Sequence, residues 1–345
     1  MRIDCDAHVD ETEETWSRIA DNLSHARPLT VDVGSRMWTW PGRTRPRHVR
    51  DDAKTGTTEA TRTLRDVDAR VRHLDELGID VQVLYPTFFL SAPSDRAEIE
   101  VALCQSYNRW MAESCQRSNG RLRWVVVPPY LSVDAALEEI AWAKAQGACG
   151  VMKHGTEQNR PASDPYFSPI YAVASDLDLP ICMHAGSGDP TALSPVNPRL
   201  HAISACLDMV GAGIPEKFPH LRCGWIECGA SWIPYVWQDI VARNRAQSWG
   251  SSIRKIAGRT SIDVTPDLFR RFRFYSSCET TDDLDYILTY GTEDSLLLGT
   301  DYGHSDQSSD IRVHELIESR VASGQLAAAT ARKLLFENAC RFYGL

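Results

Sequence analysis

Asp6 and His8 stand two residues apart near the start of the chain, in Ile3-Asp4-Cys5-Asp6-Ala7-His8. On an extended strand, residues at i and i+2 share a face, so both would present donor atoms to one point. Further donors follow short apolar runs: Lys153 and His154 after Gly150-Val151-Met152, His184 after Ile181-Cys182-Met183, and Glu227 after Gly224-Trp225-Ile226. Glu279 lies just past another such run, and Asp301 and His304 follow Leu296-Leu297-Leu298-Gly299-Thr300. Carboxylates and imidazoles together suit iron, manganese or zinc. Each residue also has a plainer reading. Asp6-x-His8 alone serves structural hydrogen bonding as readily as metal binding, and a histidine ending an apolar strand is usually a satisfied core residue. Glu227 and Asp301 precede turns, where they would cap helices. Gathered at several strand ends of one sheet, they read as a metal site.

The elements that must position them alternate regularly, apolar runs with helical patterns, as in a parallel α/β fold. Eight strands are predicted, near residues 2–8, 81–85, 122–127, 150–153, 180–184, 221–227, 272–276 and 296–301. Between the first two, Leu64, Val67, Val71, Leu74 and Leu77 recur at helical spacing. No Gly-rich phosphate loop follows the first strand, which argues against a doubly wound sheet. The expected fold is therefore α/β, a single (β/α)8 TIM barrel over residues 1–345, whose catalytic groups gather at the C-terminal strand ends. Residues 11–57 are too long and irregular for one element and read as a cap or lid carrying Trp38 and Trp40.

Composition narrows the function classes. The net charge of −9, from 37 basic and 46 acidic residues, argues against a nucleic-acid binder. Acidic residues at the start leave no room for a secretory leader, and no run approaches the ~20 apolar residues of a membrane span. The ten cysteines form no C-x-x-C pair and read as reduced, mostly buried thiols, so a cytoplasmic location is expected. His25, His48, His73, His201, His220 and His314 fall away from the strand ends and read mostly as surface residues. Glu11 lies where it could bend back onto a metal, although a solvated acid in its acidic run is at least as fair a reading. Lys153 reads as an ion-pairing lysine rather than a carbamylated bridge. His304 divides evenly between a ligand and a partner of Asp301. Arg36, Arg43, Arg45 and Arg47 could bind a substrate carboxylate, with a solvated basic loop preferred.

Asp6-Ala7-His8, Met183-His184-Ala185-Gly186, Phe218-Pro219-His220-Leu221-Arg222 and Gly299-Thr300-Asp301-Tyr302-Gly303-His304 together resemble the amidohydrolase-2 family. That family includes the aminocarboxymuconate-semialdehyde and resorcylate decarboxylases. The resemblance runs nearly the whole chain and implies a metal bound by Asp6, His8, His184 and Asp301. It has one departure: where those decarboxylases carry a histidine that helps catalysis, this chain has Glu227. The opening from Asp6 to Trp16 and the run from Leu74 to Thr87 look closer to a subgroup that includes non-haem dinuclear-iron hydroxylases.

The expectation drawn from this is a non-haem dinuclear metal monooxygenase, hydroxylating an unactivated C–H bond of a small organic substrate with dioxygen and an electron donor. Two iron ions, or iron with manganese, would be held among Asp6, His8, Glu11, His184, Glu227, Asp301 and His304, with Glu227, Asp301 and His304 taking part in catalysis. The alternative is a decarboxylase or hydrolase using one zinc or manganese ion. A third possibility is a catalytically silent barrel serving as a partner subunit. No nucleic acid or membrane partner is expected, and a homo-oligomer is favoured over a heteromer.

Overall fold

The computed structural model describes residues 1–186, 198–246, 264–265 and 267–345. Eight parallel strands form one sheet in sequence order: β1 (Ile3–Val9), β2 (Val81–Pro86), β3 (Leu122–Val126), β4 (Gly150–Lys153), β5 (Ile181–His184), β6 (Cys223–Ile226), β7 (Phe274–Cys278) and β8 (Leu296–Leu298). Ala7 bridges Tyr302 in parallel, which brings the last strand beside the first and closes the barrel. Seven of the eight strands fall within two residues of the sequence expectation at both ends; β8 ends its ladder at Leu298, three residues short. The seventh begins at Phe274 rather than Phe272, because the Phe272 N–H ends the preceding helix by donating to the Leu268 carbonyl. Arg273 then takes a left-handed φ of 53° before the strand starts.

Closure between β8 and β1 rests on a buried seam. Gly299 lies so close to β1 that a Cβ there would sit 2.3 Å from the Asp6 Cβ. Beneath it, fully buried Asp4 accepts from the Thr300 N–H (2.8 Å), the Thr300 hydroxyl (2.6 Å), the Asp6 N–H (3.2 Å) and the Gln82 amide (2.7 Å). Gln82 in turn accepts from Arg70 at 2.8 Å. The Asp301 N–H donates to the Asp6 carbonyl and the His8 N–H to the Tyr302 carbonyl, each at 2.8 Å. These bonds carry the two ligand-bearing ends past the formal strand into register.

The segment after β1 is a built cap. Two 3₁₀ turns (Glu13–Arg18 and Asp21–Ala26) lead into a three-stranded antiparallel sheet of Leu29–Asp32, Arg36–Trp40 and Arg43–Pro46. Trp38 and Trp40 are buried, and the Trp40 indole donates to the Pro93 carbonyl at 2.7 Å. Trp16, Trp38 and Trp40 pack around Phe88, at the C-terminal end of β2. The cap is thus seated on the rim of the barrel where the candidate ligands emerge.

Nine of the ten cysteines are buried, and none is in a disulfide. Among the described residues no helix is long and apolar enough to cross a membrane. His201 and His314 are buried, not on the surface: His314 bonds the Ile3 carbonyl at 3.1 Å, tying its helix to β1.

The seam generates a stability prediction. Gly299→Ala forces β1 and β8 apart, and overpacking of a tight interior costs about 1–3 kcal/mol or more. Denaturant unfolding should show that loss, and a variant as stable as the parent would mean the strands can separate freely.

Candidate metal centre

Five buried side-chain atoms without a hydrogen-bond partner point at one another: Asp6 Oδ1, His8 Nε2, His184 Nε2, Glu227 Oε2 and Asp301 Oδ1. His8 Nε2 lies 3.5 Å from Asp6 Oδ1, 3.5 Å from Asp301 Oδ1 and 3.8 Å from Glu227 Oε2. His184 Nε2 lies 3.5 Å from Asp6 Oδ1 and 3.6 Å from Glu227 Oε2. Buried polar atoms are normally paired, so five orphans facing one point mark a place built for a cation. Two overlapping groups of metal-capable residues meet there, one of His8, Glu227, Asp301 and His304, the other of Asp6, His8 and His184.

The other nitrogen of each imidazole fixes its tautomer. His8 Nδ1 faces the Pro86 carbonyl at 3.0 Å and His184 Nδ1 faces the Ala185 carbonyl at 2.8 Å. A carbonyl only accepts, so each Nδ1 carries the hydrogen and each Nε2 turns a lone pair toward the centre. Both carboxylates at the ends of β6 and β8 sit on left-handed backbone, with φ of 56° at Glu227 and 49° at Asp301. Residues other than glycine hold such angles at a cost of order 1–3 kcal/mol, and such strain collects at functional sites. At Glu227 it is secured by the Ser277 hydroxyl, which accepts the Glu227 N–H at 2.9 Å. Neither residue caps a helix.

The electrostatics of the ion-free cluster are frustrated. Burial, and then the neighbouring carboxylates, raise the Glu227 and Asp301 carboxyls well above their ordinary range. Burial opposes a charge on His184, but Asp6 and Glu227 outweigh it and lift the imidazole to about 9. Burial and the nearby His304 push His8 down to about 3. Asp6 stays below its ordinary range despite burial, held there by His184 and His8. Three carboxyl groups cannot all ionise in so small a buried space without a compensating cation.

His304 joins the cluster as a neighbour of Asp301, its Nδ1 at 2.8 Å from Asp301 Oδ1 and its Nε2 at 3.2 Å from the Thr87 hydroxyl. Its ring stacks on His8 with centroids 3.9 Å apart.

Glu11, expected as a ligand, belongs to neither metal-capable group among the described residues; its carboxylate accepts the Thr87 N–H (3.1 Å) and the Phe88 N–H (2.9 Å), which pins the turn after β2. Lys153 makes no ion pair among the described residues; its ammonium donates to the His154 carbonyl at 3.1 Å and lies over the Phe167 ring, and burial lowers it to about 8. His154 is held through Nδ1 by Glu157 at 2.9 Å, outside the cluster. Glu279 pairs with Arg199 at 2.8 Å.

Beside His304 opens a cavity of about 460 Å³ whose outer wall is the cap. Arg45, Arg47, His48 and Arg50 line it together with Trp38 and Phe88. Arg45 stacks over Phe88 at 4.0 Å and bonds the Phe88 carbonyl and the Ser91 hydroxyl, whereas Arg47 lies over Trp38 and pairs with Glu13. Arg50 is 3.6 Å from Asp10, and its Nε has no hydrogen-bond partner. Of the four arginines expected as a solvated loop, Arg43, Arg45 and Arg47 are partly covered and Arg36 is exposed. The sequence offered no spacing signal for Arg50, nor for Ser308, whose hydroxyl lies 3.2 Å from both Glu227 and Asp301.

Solved structures share this architecture. An amidohydrolase from Mycobacterium avium subsp. paratuberculosis K-10 matches with a TM-score of 0.77 at 18% identity, covering 99% of each chain. A 5-carboxyvanillate decarboxylase from Novosphingobium aromaticivorans, complexed with manganese and 4-hydroxy-3-methoxy-5-nitrobenzoic acid, matches at 0.68 and 16%, covering 100% of this chain and 96% of that one. A 2,6-dihydroxybenzoate decarboxylase from Rhizobium matches at 0.66 and 18%, covering 99% and 98%. At such identities the likeness speaks for the fold. The family model described as amidohydrolase matches residues 3–345, and with that match the chain belongs to the amidohydrolase family.

Proposed function

We propose that this enzyme uses one divalent metal ion to carry out a non-oxidative reaction, most simply decarboxylation, on a small ring-bearing carboxylate. The observation that carries the reading is the convergence of five orphaned donor atoms on one point. A single ion with bonds of about 2.0–2.2 Å to nitrogen and oxygen places its ligands roughly 3–4.4 Å apart, the range found here. Two ions about 3.5–4 Å apart can share a bridging carboxylate, but each would still need terminal ligands of its own. The two groups present share His8, and its Nε2 binds one ion only.

In this reading Asp6, His8, His184, Glu227 and Asp301 hold the ion. Two imidazoles and three carboxylates suit manganese or zinc and need no sulfur. A divalent ion bound there would polarise a substrate oxygen and neutralise charge gathering beside it. Arg50, which lines the cavity with its Nε 3.6 Å from Asp10, binds the carboxylate end, and Trp38 and Phe88 flank the ring. When the C–C bond breaks and carbon dioxide leaves, the electron pair remains on the ring carbon, which takes a proton. Asp301, whose Oδ1 lies 2.8 Å from His304 Nδ1, carries that proton in this reading. The seated cap keeps bulk water from the reacting carbon.

The dinuclear oxygenase expected from the subgroup resemblance keeps one point in its favour: with His304 the cluster offers more donors than a single ion needs. Decarboxylases among the similar structures support the non-oxidative reading.

Metal analysis separates the two. Near one manganese or zinc per chain, with turnover of a dihydroxybenzoate probe lost on chelation and restored by the ion, is expected. Two irons per chain, with an oxygen-dependent spectral change, would instead establish the oxygenase. Because Glu227 and Asp301 must shed protons to bind the ion, and their carboxyls are raised, affinity should rise with pH and fall on acidification. A chelator competition run across the pH range checks the sign. Arg50→Ala should raise KM about tenfold or more, in line with the ~1.5–3 kcal/mol of a charged hydrogen bond, with a smaller effect on kcat. An unchanged KM would remove Arg50 from substrate binding.

A further inference from the structure

The Ser308 hydroxyl stands between two of the inferred ligands. It lies 3.2 Å from Glu227 Oε1 and 3.2 Å from Asp301 Oδ2, the oxygens that do not point at the ligand centre. Asp306 Oδ1 accepts the Ser308 N–H at 2.9 Å, which fixes the residue, and is also a third acceptor for the Ser308 hydroxyl. Ser308 is also buried, at 7% exposure, so water competes poorly for these bonds. Glu227 has a longer side chain than Asp301 and reaches the centre from the far strand β6. Among the described residues Ser308 bonds Glu227 Oε1, the oxygen turned away from the centre.

We propose that Ser308 is a positioning residue for the metal centre: it holds Glu227 and Asp301 each to a single coordinating oxygen, leaving a coordination position for substrate. The inference rests on the metal reading above and deepens it. Its chemistry is plain. A carboxylate that binds an ion through both oxygens occupies two positions, and the resulting four-membered chelate leaves less room for another ligand. A hydroxyl on the outer oxygen disfavours that rotation. The hydroxyl has one hydrogen and three carboxylate acceptors around it, so it donates to one of Asp306, Glu227 and Asp301 at a time, while the residue itself is anchored through its N–H on Asp306. The tie also joins the C-terminal ends of β6 and β8, the two strands whose ligand residues hold left-handed backbone. It connects the glutamate that departs from the family's histidine to the aspartate that matches the family's pattern.

The test uses the full-length protein, with Mn²⁺ and Co²⁺ as probes. Ser308→Ala is expected to weaken ion binding by about 10–100-fold, the usual cost of removing a group that orients a ligand. It should also shift the d–d spectrum of the Co²⁺-loaded protein toward higher coordination, while the ion-free protein keeps its unfolding midpoint. Ser308→Thr, which retains the hydroxyl, should restore the parent spectrum. Combining Ser308→Ala with Glu227→Gln should give less than the sum of the two single effects, since both act on one ligand. Parent-like affinity and an unchanged Co²⁺ spectrum in Ser308→Ala would overturn the inference while leaving the metal centre standing. A lowered ion-free midpoint with an unchanged spectrum would overturn it too, leaving Ser308 a loop anchor. Failure of the parent protein to bind either ion would overturn the metal reading, and this inference with it.

Discussion

Everything at the mouth of this barrel depends on how closely the last strand approaches the first. A glycine at position 299 and a buried aspartate at position 4 make that approach possible. Asp4 gathers the Thr300 backbone and hydroxyl, the Asp6 backbone and the Gln82 amide around one carboxyl group. Asp6 and His8 then emerge beside Asp301 rather than a strand's width away. Burying a carboxyl group is costly unless it is hydrogen-bonded, and Asp4 shows the cost met by four donors. The same barrel closure therefore stabilises the fold and sets the geometry of the donor cluster.

Above that seam the molecule concentrates like charges. Three carboxyl groups and two imidazoles share one buried space, and without an ion the Glu227 and Asp301 carboxyls are raised and the His184 imidazole is lifted to about 9. A divalent cation would reverse each of those responses. The carbonyls behind His8 and His184 set the imidazole tautomers in advance, so little rearrangement separates the ion-free from the loaded arrangement.

The barrel was legible in the sequence because each strand is a short apolar run ended by a donor or a proline, and period and punctuation survive without tertiary context. The centre was legible for the same reason: Asp6, His8, His184, Glu227 and Asp301 all sit at strand ends. Glu11 misled because proximity in sequence says nothing of a competing partner, here two backbone N–H groups after β2. Ser308 and Arg50 were invisible because they lie on loops and in the cap, where no periodicity indicates direction. Residues 11–57 read as irregular because their elements are too short for a periodic signal, yet pairing between neighbours makes a sheet of three of them. His314 looked exposed because a lone helical histidine carries no mark of the strand it faces.

The cap strand Arg43–Pro46 alternates in the manner of any strand, and this has a bearing on how such an enzyme changes its diet. Arg43, Arg45 and Arg47 are partly covered, whereas Thr44 and Pro46 are exposed. Arg45 and Arg47 line the cavity from an edge strand that makes none of the barrel's ladder bonds. Exchanging alternate residues along that one strand would alter the charge and shape met by an incoming molecule. The barrel core and the donor cluster would be left intact. In the proposed reading, the surface an incoming molecule meets and the donors that would hold an ion thus lie in separate parts of the chain, and a substitution in one leaves the packing of the other untouched.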